Sequence, residues 1–209
     1  GCTYRDSYIS YCGTGLALLR QPNGVQLAGL YLQRCELGID ASEAYQLAVR
    51  NCVIERNTSY AMNITGGGPI VVDGLYFETD LGGDTTINVV RKSGISCASL
   101  QVQNCHVNND SQYFIRGQAI DELVVRNNAM MTPPENHVLV LSDTQTLTNG
   151  IKHAVIEGNT TLDFSGSGYD AMLKKYLCRE LGASNPVRWD VGYNYDYTTR
   201  GTIYYGSLN

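Results

Sequence analysis

The stretch Leu47-Ala48-Val49-Arg50-Asn51-Cys52-Val53-Ile54 decides the fold, because its pattern returns along most of the chain. Apolar residues alternate with outward-facing residues, a short polar turn follows, and an apolar pair comes next. Further copies occupy residues 7–12, 30–37, 75–81, 100–107, 123–130 and 154–161. A short strand that repeats at about 20 to 30 residues is the signature of a solenoid.

The spacing of the copies indicates a fixed strand joined by loops of variable length. The central apolar residues lie 23, 17, 28, 25, 23 and 31 residues apart and are Ile9, Leu32, Val49, Phe77, Val102, Val125 and Ile156. Other short apolar runs, such as Val138-Leu139-Val140-Leu141, predict at least one more strand in most coils. The sequence therefore predicts an all-β solenoid of about seven coils over residues 1–165.

The pattern changes after Phe164, where Ser165-Gly166-Ser167-Gly168 predicts a flexible joint. The segment Tyr169–Leu181 has apolar residues at helical spacing, and an aromatic alternating stretch follows. We therefore expect residues 166–209 to form a C-terminal cap or trimerisation segment, built from a helix and short strands. A cap is expected because the last coil would otherwise expose its backbone edge. We also expect the solenoid to be truncated at its N-terminus, because the chain starts inside the first coil.

Composition and charge narrow the function classes. The net charge is −5 and the pI is near 5.1, so no basic surface favours nucleic acid as a partner. No apolar run is long enough to cross a membrane, so we expect no membrane insertion. A secretory signal peptide is not visible either. Hydrophobic residues make up 43% of the chain, which is typical of a packed domain.

The seven cysteines include no CxxC pair, so we expect no zinc, no other metal and no cofactor. One repeat position is predicted to carry a buried ladder of small side chains, made of Cys12, Cys35, Cys52, Asp80, Cys105, Asn128 and Asn159. Reduced cysteines there act as small hydrophobes, and asparagines form hydrogen bonds along the ladder. Disulfides between adjacent coils are the alternative. The pattern favours synthesis in a reducing cytosol.

The repeat of short strands, with inward aliphatic pairs and an Asn or Cys ladder at the turn, resembles the sequence pattern of a right-handed parallel β-helix of the pectate-lyase-like superfamily. The resemblance covers about residues 5–165. Within that superfamily the chain looks most like bacteriophage tailspikes and capsule depolymerases, because of its Asn, Gly and Tyr content, irregular coils and aromatic C-terminal segment. This resemblance implies a homotrimer in the virion (phage tail), made in the bacterial cytoplasm, that binds and often cleaves a bacterial surface polysaccharide. The calcium-binding Asp cluster of pectate lyases is missing, so no catalytic residue is carried over.

Outward residues of stacked strands form rows, because such strands lie about 4.8 Å apart. One predicted row contains Tyr8, Tyr31, Ala48, Tyr76, Gln101, Val124 and Val155. A second contains Ser10, Gln33, Arg50, Glu78, Gln103, Arg126 and Glu157. A third contains Asp6, Gly29, Gln46, Gly74, Ser99, Glu122 and His153.

These rows predict a glycan-binding groove, since sugar rings stack on aromatic side chains and polar groups bond the hydroxyls. The predicted substrate-binding residues are Tyr8, Tyr31, Arg50, Tyr76, Gln101, Gln103, Arg126 and Glu157. The alternative is a polar face that only meets solvent or another subunit.

Hydrolysis requires two carboxylates, about 5–5.5 Å apart for retention and about 6.5–9.5 Å apart for inversion. Glu78 is the first candidate, because it is predicted to lie beside Tyr76 and near Arg50. Asp73 and Glu122 are its candidate partners. A lyase would instead need a base and a cation, for which Arg50 and Arg126 are available, although nothing in the sequence selects this chemistry.

The leading hypothesis is a phage tailspike-type protein that binds a bacterial surface polysaccharide, either capsule or O-antigen. Such a protein would depolymerise this polysaccharide as a glycosidase or as a lyase. The second hypothesis is a non-catalytic receptor-binding stalk. The third is a cellular polysaccharide lyase or epimerase domain.

Overall fold

Strands make up all the regular secondary structure in the described part of the chain. The computed structural model describes residues 1–78, 85–92, 94–108, 111, 113–130, 138–143, 150–161, 178–181, 188–196 and 201–203. Within these residues the chain forms 24 strands and no helix, and all strands pair in parallel except the last pair. No helix in these ranges is long and apolar enough to cross a membrane.

The strands stack in three columns, and the first column contains the stretch that begins at Leu47. Its members are β1 (Cys2–Arg5), β4 (Val25–Ala28), β7 (Leu47–Arg50), β10 (Ile70–Asp73), β13 (Cys97–Gln103), β16 (Ile120–Arg126), β19 (Ile151–Glu157) and β22 (Arg188–Val191). Each strand of this column from β4 to β22 contributes two buried apolar residues at alternate positions, whereas β1 is exposed throughout. The copies of the repeating stretch at residues 47–54, 100–107, 123–130 and 154–161 begin in this column.

The second column follows after a corner of two residues. Its members are β2 (Tyr8–Ser10), β5 (Tyr31–Gln33), β8 (Val53–Glu55), β11 (Tyr76–Glu78), β14 (His106–Asn108), β17 (Ala129–Met130), β20 (Thr160–Thr161) and β23 (Asn194–Asp196). The last strand, β24 (Gly201–Ile203), pairs with β23 in antiparallel fashion.

The third column completes each coil. Its members are β3 (Thr14–Leu18), β6 (Leu37–Ala44), β9 (Tyr60–Gly67), β12 (Thr85–Val90), β15 (Tyr113–Gly117), β18 (Val138–Asp143) and β21 (Cys178–Leu181). The chain thus visits the three columns in turn and pairs in parallel with its previous coil. This arrangement is consistent with a parallel β-helix.

Inward side chains from all three columns form one core. Val49, Val72 and Val102 occupy the same position on successive strands of the first column, and each is 0% exposed. Burying one such side chain stabilises the fold by about 1.5–3 kcal/mol. Phe77 of the second column meets Phe114 of the third edge to face, with ring centroids 5.7 Å apart. The alternation of side chains along each strand therefore determines which residues are buried in the core.

The first corner, between the first and second columns, depends on a left-handed residue in seven of its eight described copies. The residues with positive φ there are Asp6, Gly29, Asn51, Gly74, Asn104, Asn127 and Gly158. Asn, Asp and Gly adopt this conformation most readily, which explains why polar residues and glycine alternate at the corner. At Gly74, a Cβ atom would also lie 2.7 Å from Oδ1 of Asn51, so a larger residue would additionally require that exposed side chain to move.

The structure corrects the predicted rows, because the repeating stretch occurs in two columns rather than one. Residues 7–12, 30–37 and 75–81 begin in the second column, whereas residues 47–54 begin in the first. Within the second column Ile9, Leu32, Ile54 and Phe77 are in register, so the repeat there is 23, 22 and 23 residues. The irregular spacing of 17 and 28 residues came from counting Val49 in the wrong column.

The predicted cysteine ladder is also wrong as a single ladder. Cys52 and Cys105 lie at the first corner, whereas Cys12 and Cys35 lie at the second corner, between the second and third columns. Asn128 and Asn159 continue the first-corner ladder, since the backbone N–H of Cys105 donates to Oδ1 of Asn128 over 2.9 Å. Asp80 lies outside the described residues.

The predicted C-terminal helix is wrong over its last four residues. Cys178–Leu181 forms β21, which pairs with β18 in parallel. The rest of the predicted helix, residues 169–177, lies outside the described residues. Four residues are too few for their apolar spacing to distinguish the end of a helix from a short strand.

Candidate functional site

Aromatic rings stack along the outward face of the second column. Tyr8 and Tyr31 are in register on β2 and β5, and their rings stack with centroids 5.3 Å apart. Further along the same row, the rings of Tyr76 and His106 lie 5.5 Å apart. Val53 lies between Tyr31 and Tyr76 in this row. The three tyrosines predicted to bind substrate therefore share one row, and His106 joins them.

A second outward row on this column is polar and hydrogen-bonded. In register it contains Ser10, Gln33, Glu55, Glu78 and Asn108. The Tyr8 hydroxyl donates to Oε1 of Gln33 over 2.8 Å. Nε2 of Gln33 in turn donates to Oε1 of Glu55, which is only 7% exposed. The aromatic row and the polar row are therefore joined by side-chain hydrogen bonds.

Glu55 and Glu78 stand side by side on neighbouring parallel strands. Such strands lie about 4.8 Å apart, so the two carboxylates are close neighbours. The pKa of the Tyr31 hydroxyl is raised by its hydrogen bond to Glu55. Desolvation and the negative charges of Glu55 and Glu78 raise this pKa further. The Tyr31 hydroxyl therefore stays protonated at neutral pH and donates a hydrogen bond to Glu55.

Glu55 was missed in the sequence because Val53-Ile54 was assigned to the end of the Leu47 stretch. The signal was present, since Val53-Ile54-Glu55 repeats the pattern of Tyr76-Phe77-Glu78 one coil later. In both triplets the central residue is buried, and the glutamate follows it on the strand, buried in the case of Glu55 and half-buried in the case of Glu78.

The outward face of the first column gathers most of the other predicted binding residues. One row contains Arg50, Asp73, Gln103, Arg126 and Glu157. Nε of Arg126 donates to Oε1 of Gln103 over 3.1 Å, and Nδ2 of Asn104 donates to Oδ1 of Asp73 over 2.8 Å. Gln101 lies in the neighbouring row and also bonds Gln103. Asp73 thus replaces Glu78 in the predicted row, because Glu78 belongs to the second column.

Glu122 lies apart from the other two predicted catalytic residues. It is in register with Ser99 and His153, two strands from Asp73 and four residues nearer the start of the strand. Strand spacing and rise place the two Cα atoms roughly 16 Å apart, wider than either glycosidase geometry. The structure therefore does not bring Glu122 together with Asp73 as a pair.

A small charged cluster lies beside Glu122 on the same column. Nε2 of His153 and Oδ2 of Asp190 are 2.8 Å apart, and Nη2 of Arg188 lies 3.2 Å from the same oxygen. The hydrogen bond from His153, followed by the charge and hydrogen bond of Arg188, lowers the pKa of Asp190. A histidine oriented by a carboxylate is a common base in proton transfer.

The outward face of the third column is also polar, although the sequence analysis assigned it no site. Nδ2 of Asn63 donates to Asp40 over 3.1 Å, and Nδ2 of Asn88 donates to Asn63 over 2.9 Å. Arg116 forms an ion pair with the buried Asp143. Among the described residues, no group of three or more His, Cys, Asp or Glu side chains is arranged to hold a metal ion.

Comparison with known proteins gives one structural relative. No protein-family model matches the chain, and no curated protein matches it. The crystal structure of an alginate lyase from Paenibacillus sp. str. FPU-7 is similar, with a TM-score of 0.62 and 15% sequence identity over 93% of this chain and 74% of that chain. At this identity the likeness shows the fold alone. The chain therefore shares the parallel-stranded, β-helix-like fold of a polysaccharide lyase.

Proposed function

We propose that this protein binds an extended polysaccharide and cleaves its glycosidic bonds by hydrolysis on the outward face of the second column. The observation that carries this proposal is the cluster of Tyr31, Glu55 and Glu78, in which a tyrosine and two glutamates meet on three neighbouring strands. The fold shared with a polysaccharide lyase supports a polysaccharide as the ligand.

The two glutamates suit a retaining mechanism, because their strands are about as far apart as the 5–5.5 Å between carboxyls of retaining enzymes. Glu55 accepts hydrogen bonds from Tyr31 and Gln33, which hold its carboxylate in one orientation. This suits the nucleophile, which attacks the sugar carbon and forms a glycosyl-enzyme bond. Glu78 then serves as the acid that protonates the departing oxygen and later as the base that activates water.

The remaining predicted residues are proposed to bind the polymer. Tyr8, Tyr31 and Tyr76 provide surfaces on which sugar rings stack. Asp73 lies across the first corner on the same coil as Glu78 and is the alternative second carboxylate. The groups proposed to bond sugar hydroxyls along the first column are Arg50, Gln101, Gln103, Glu122, Arg126 and Glu157.

The finer identity is proposed from the resemblance of the sequence to tailspikes and capsule depolymerases. We propose a right-handed β-helix of about seven coils, because parallel crossover connections are almost always right-handed. The residues after 165 are proposed to cap the helix or to join three chains. The polymer would then be a bacterial surface polysaccharide, and the protein a homotrimer in a phage tail. If the protein binds the polysaccharide without cleaving it, we propose that it serves as a receptor-binding stalk.

A polysaccharide lyase is the second candidate, and the cluster of His153, Asp190 and Arg188 favours it. His153 held by Asp190 would remove the proton beside a sugar carboxylate, and Arg188 would offset the negative charge that develops. The similar structure is that of an alginate lyase, which supports this second candidate.

The test is incubation of the purified chain with capsular polysaccharides, O-antigens and alginate. A hydrolase releases reducing ends without new ultraviolet absorbance, whereas a lyase produces the absorbance of an unsaturated uronide. Binding without release would identify a recognition protein. If no polymer is bound or cleaved, the proposed function is wrong.

A further inference from the structure

Two thiols face each other at the second corner, in the first and second coils. Sγ of Cys12 and Sγ of Cys35 are 2.9 Å apart. Cys35 is buried, whereas Cys12 is half-exposed at the edge of the corner. The pair therefore combines one thiol that a reagent can reach with one that only its neighbour can reach.

The backbone already holds the two cysteines at the separation that a disulfide needs. The N–H of Glu36 donates to the carbonyl of Cys12 over 2.9 Å, and the N–H of Tyr11 donates to Gln33 over 3.2 Å. Residues paired on adjacent strands lie about 4.8 Å apart, which is inside the 4.4–6.8 Å range of Cα separations in disulfides. A bond between the two sulfur atoms therefore requires little backbone movement.

No other two cysteines with described side chains are placed this way. Cys52 and Cys105 share the first corner, but Leu75 occupies the coil between them. Two coils separate their Cα atoms by about 10 Å, beyond the roughly 7 Å at which a disulfide becomes impossible. Cys97 is in register with Gly67 and Ile120, and Cys2 with Val25.

We propose that Cys12 and Cys35 are a disulfide-forming pair, closed by a small disulfide such as oxidised glutathione. The Cys12 thiolate attacks one sulfur of the small disulfide, forms a mixed disulfide and releases one thiol. Cys35 then loses its proton and attacks Sγ of Cys12, which releases the second thiol. The protein loses two protons and two electrons, which together are two hydrogen atoms, and the small disulfide takes them up to become two thiols.

The bond would fasten the first coil to the second. Cys2–Arg5 of the first coil is exposed throughout and pairs on one side only. The stacked Tyr8 and Tyr31 lie on β2 and β5, a few residues before the two thiols. A covalent link at this corner therefore fixes the two strands that carry the ring stack.

The rate of closure should depend on pH. Burial, followed by the hydrogen bond with Cys12, raises the pKa of Cys35 to about 11. The thiolate fraction of Cys35 then increases about tenfold with each pH unit below that value, so the second step accelerates in alkaline solution.

The experiment treats the reduced chain with oxidised glutathione, blocks free thiols by alkylation and measures the intact mass. We expect a species two hydrogen atoms lighter, with peptides containing Cys12 and Cys35 linked and a thermal midpoint several degrees higher. Reducing agent should reverse both changes. Persistence of a glutathione adduct on Cys12, or no loss of hydrogen, would overturn the proposal.

Matched variants keep the test specific. Cys12→Ser changes only the half-exposed thiol and should abolish the link, whereas Cys52→Ser should leave it intact. Loss of the link in Cys52→Ser, or its survival in Cys12→Ser, would show that another pair is responsible. These outcomes do not depend on whether the protein cleaves a polysaccharide.

Discussion

Asn159 shows how one buried side chain fixes the register of three coils. Its Nδ2 donates to the carbonyl of Val125 over 3.0 Å and to Oδ1 of Asn194 over 2.9 Å. Its Oδ1 accepts from the backbone N–H of Asn128 over 3.0 Å. Since the residue is 0% exposed, no water replaces these bonds if they are lost.

We expect Asn159→Ala to destabilise the protein by about 1–3 kcal/mol, because the N–H of Asn128 would be left buried without that acceptor. Chemical denaturation measures the change. Glu157→Ala, on the exposed side of the same turn, serves as the control and should change stability by less than about 0.5 kcal/mol. Equal effects in the two variants would contradict the ladder.

The buried thiols predict a loss of stability in alkaline solution. Burial raises the pKa of Cys97 and Cys105 from 9.0 to about 12. Because the folded pKa lies above the unfolded pKa, their contribution is complete below pH 9 and is lost as pH rises from 9 towards 12. The free energy of unfolding should fall by about 1.4 kcal/mol per pH unit for each thiol in this window.

Cys105→Ala provides the control for this pH dependence. The variant lacks one titrating thiol, so its stability should decline less steeply between pH 9 and 11 than that of the parent. The comparison uses the slope rather than the absolute stability, because the substitution also leaves a small cavity. Identical slopes would show that Cys105 does not stay protonated in the folded protein.

At the scale of strands, the sequence predicted the inward faces well and the columns poorly. Leu100 and Val102 are buried in β13, as their alternation indicated. Alternation has a period of two in every column, so it does not distinguish the first column from the second. For this reason Glu78 was placed beside Arg50, although Asp73 is the residue paired with Arg50. Glu55 was missed for the same reason.

Val102→Asp tests the inward assignment of β13. Val102 is 0% exposed between Val72 and Val125, so a carboxylate there would be buried without a partner. The cost of several kcal/mol is comparable with the whole stability of a domain, and we expect the variant not to fold. Gln101→Asp, one residue away on the outward face, should fold. Circular dichroism melting compares them, and a parent-like melt of Val102→Asp would refute the assignment.

At the scale of the whole molecule, three parallel columns produce long outward faces on which rows of side chains repeat at the strand spacing. The proposed polymer ligand fits this architecture better than a small ligand would, because the rows of outward side chains continue over several coils. The expectation of a homotrimer concerns these faces directly, since a neighbouring chain would cover at least one of them.

Light scattering measures the assembly. We expect a particle of three times the 22.9 kDa mass of one chain, at concentrations where a weak contact would dissociate. A mass of one chain at all concentrations would contradict the trimer. It would leave the face of the second column, which lies within one chain, as the proposed site.

The most direct measurement compares reducing-end release by the parent, Glu55→Gln, Glu78→Gln and Glu36→Gln on one polysaccharide that the parent cleaves. Glu36 is an exposed glutamate outside the polar row, so its variant is the matched control. The account predicts that Glu55→Gln and Glu78→Gln each lose at least about a hundredfold in rate with binding retained, whereas Glu36→Gln does not change. Full activity in Glu55→Gln or Glu78→Gln would contradict the assignment of this pair as the catalytic centre.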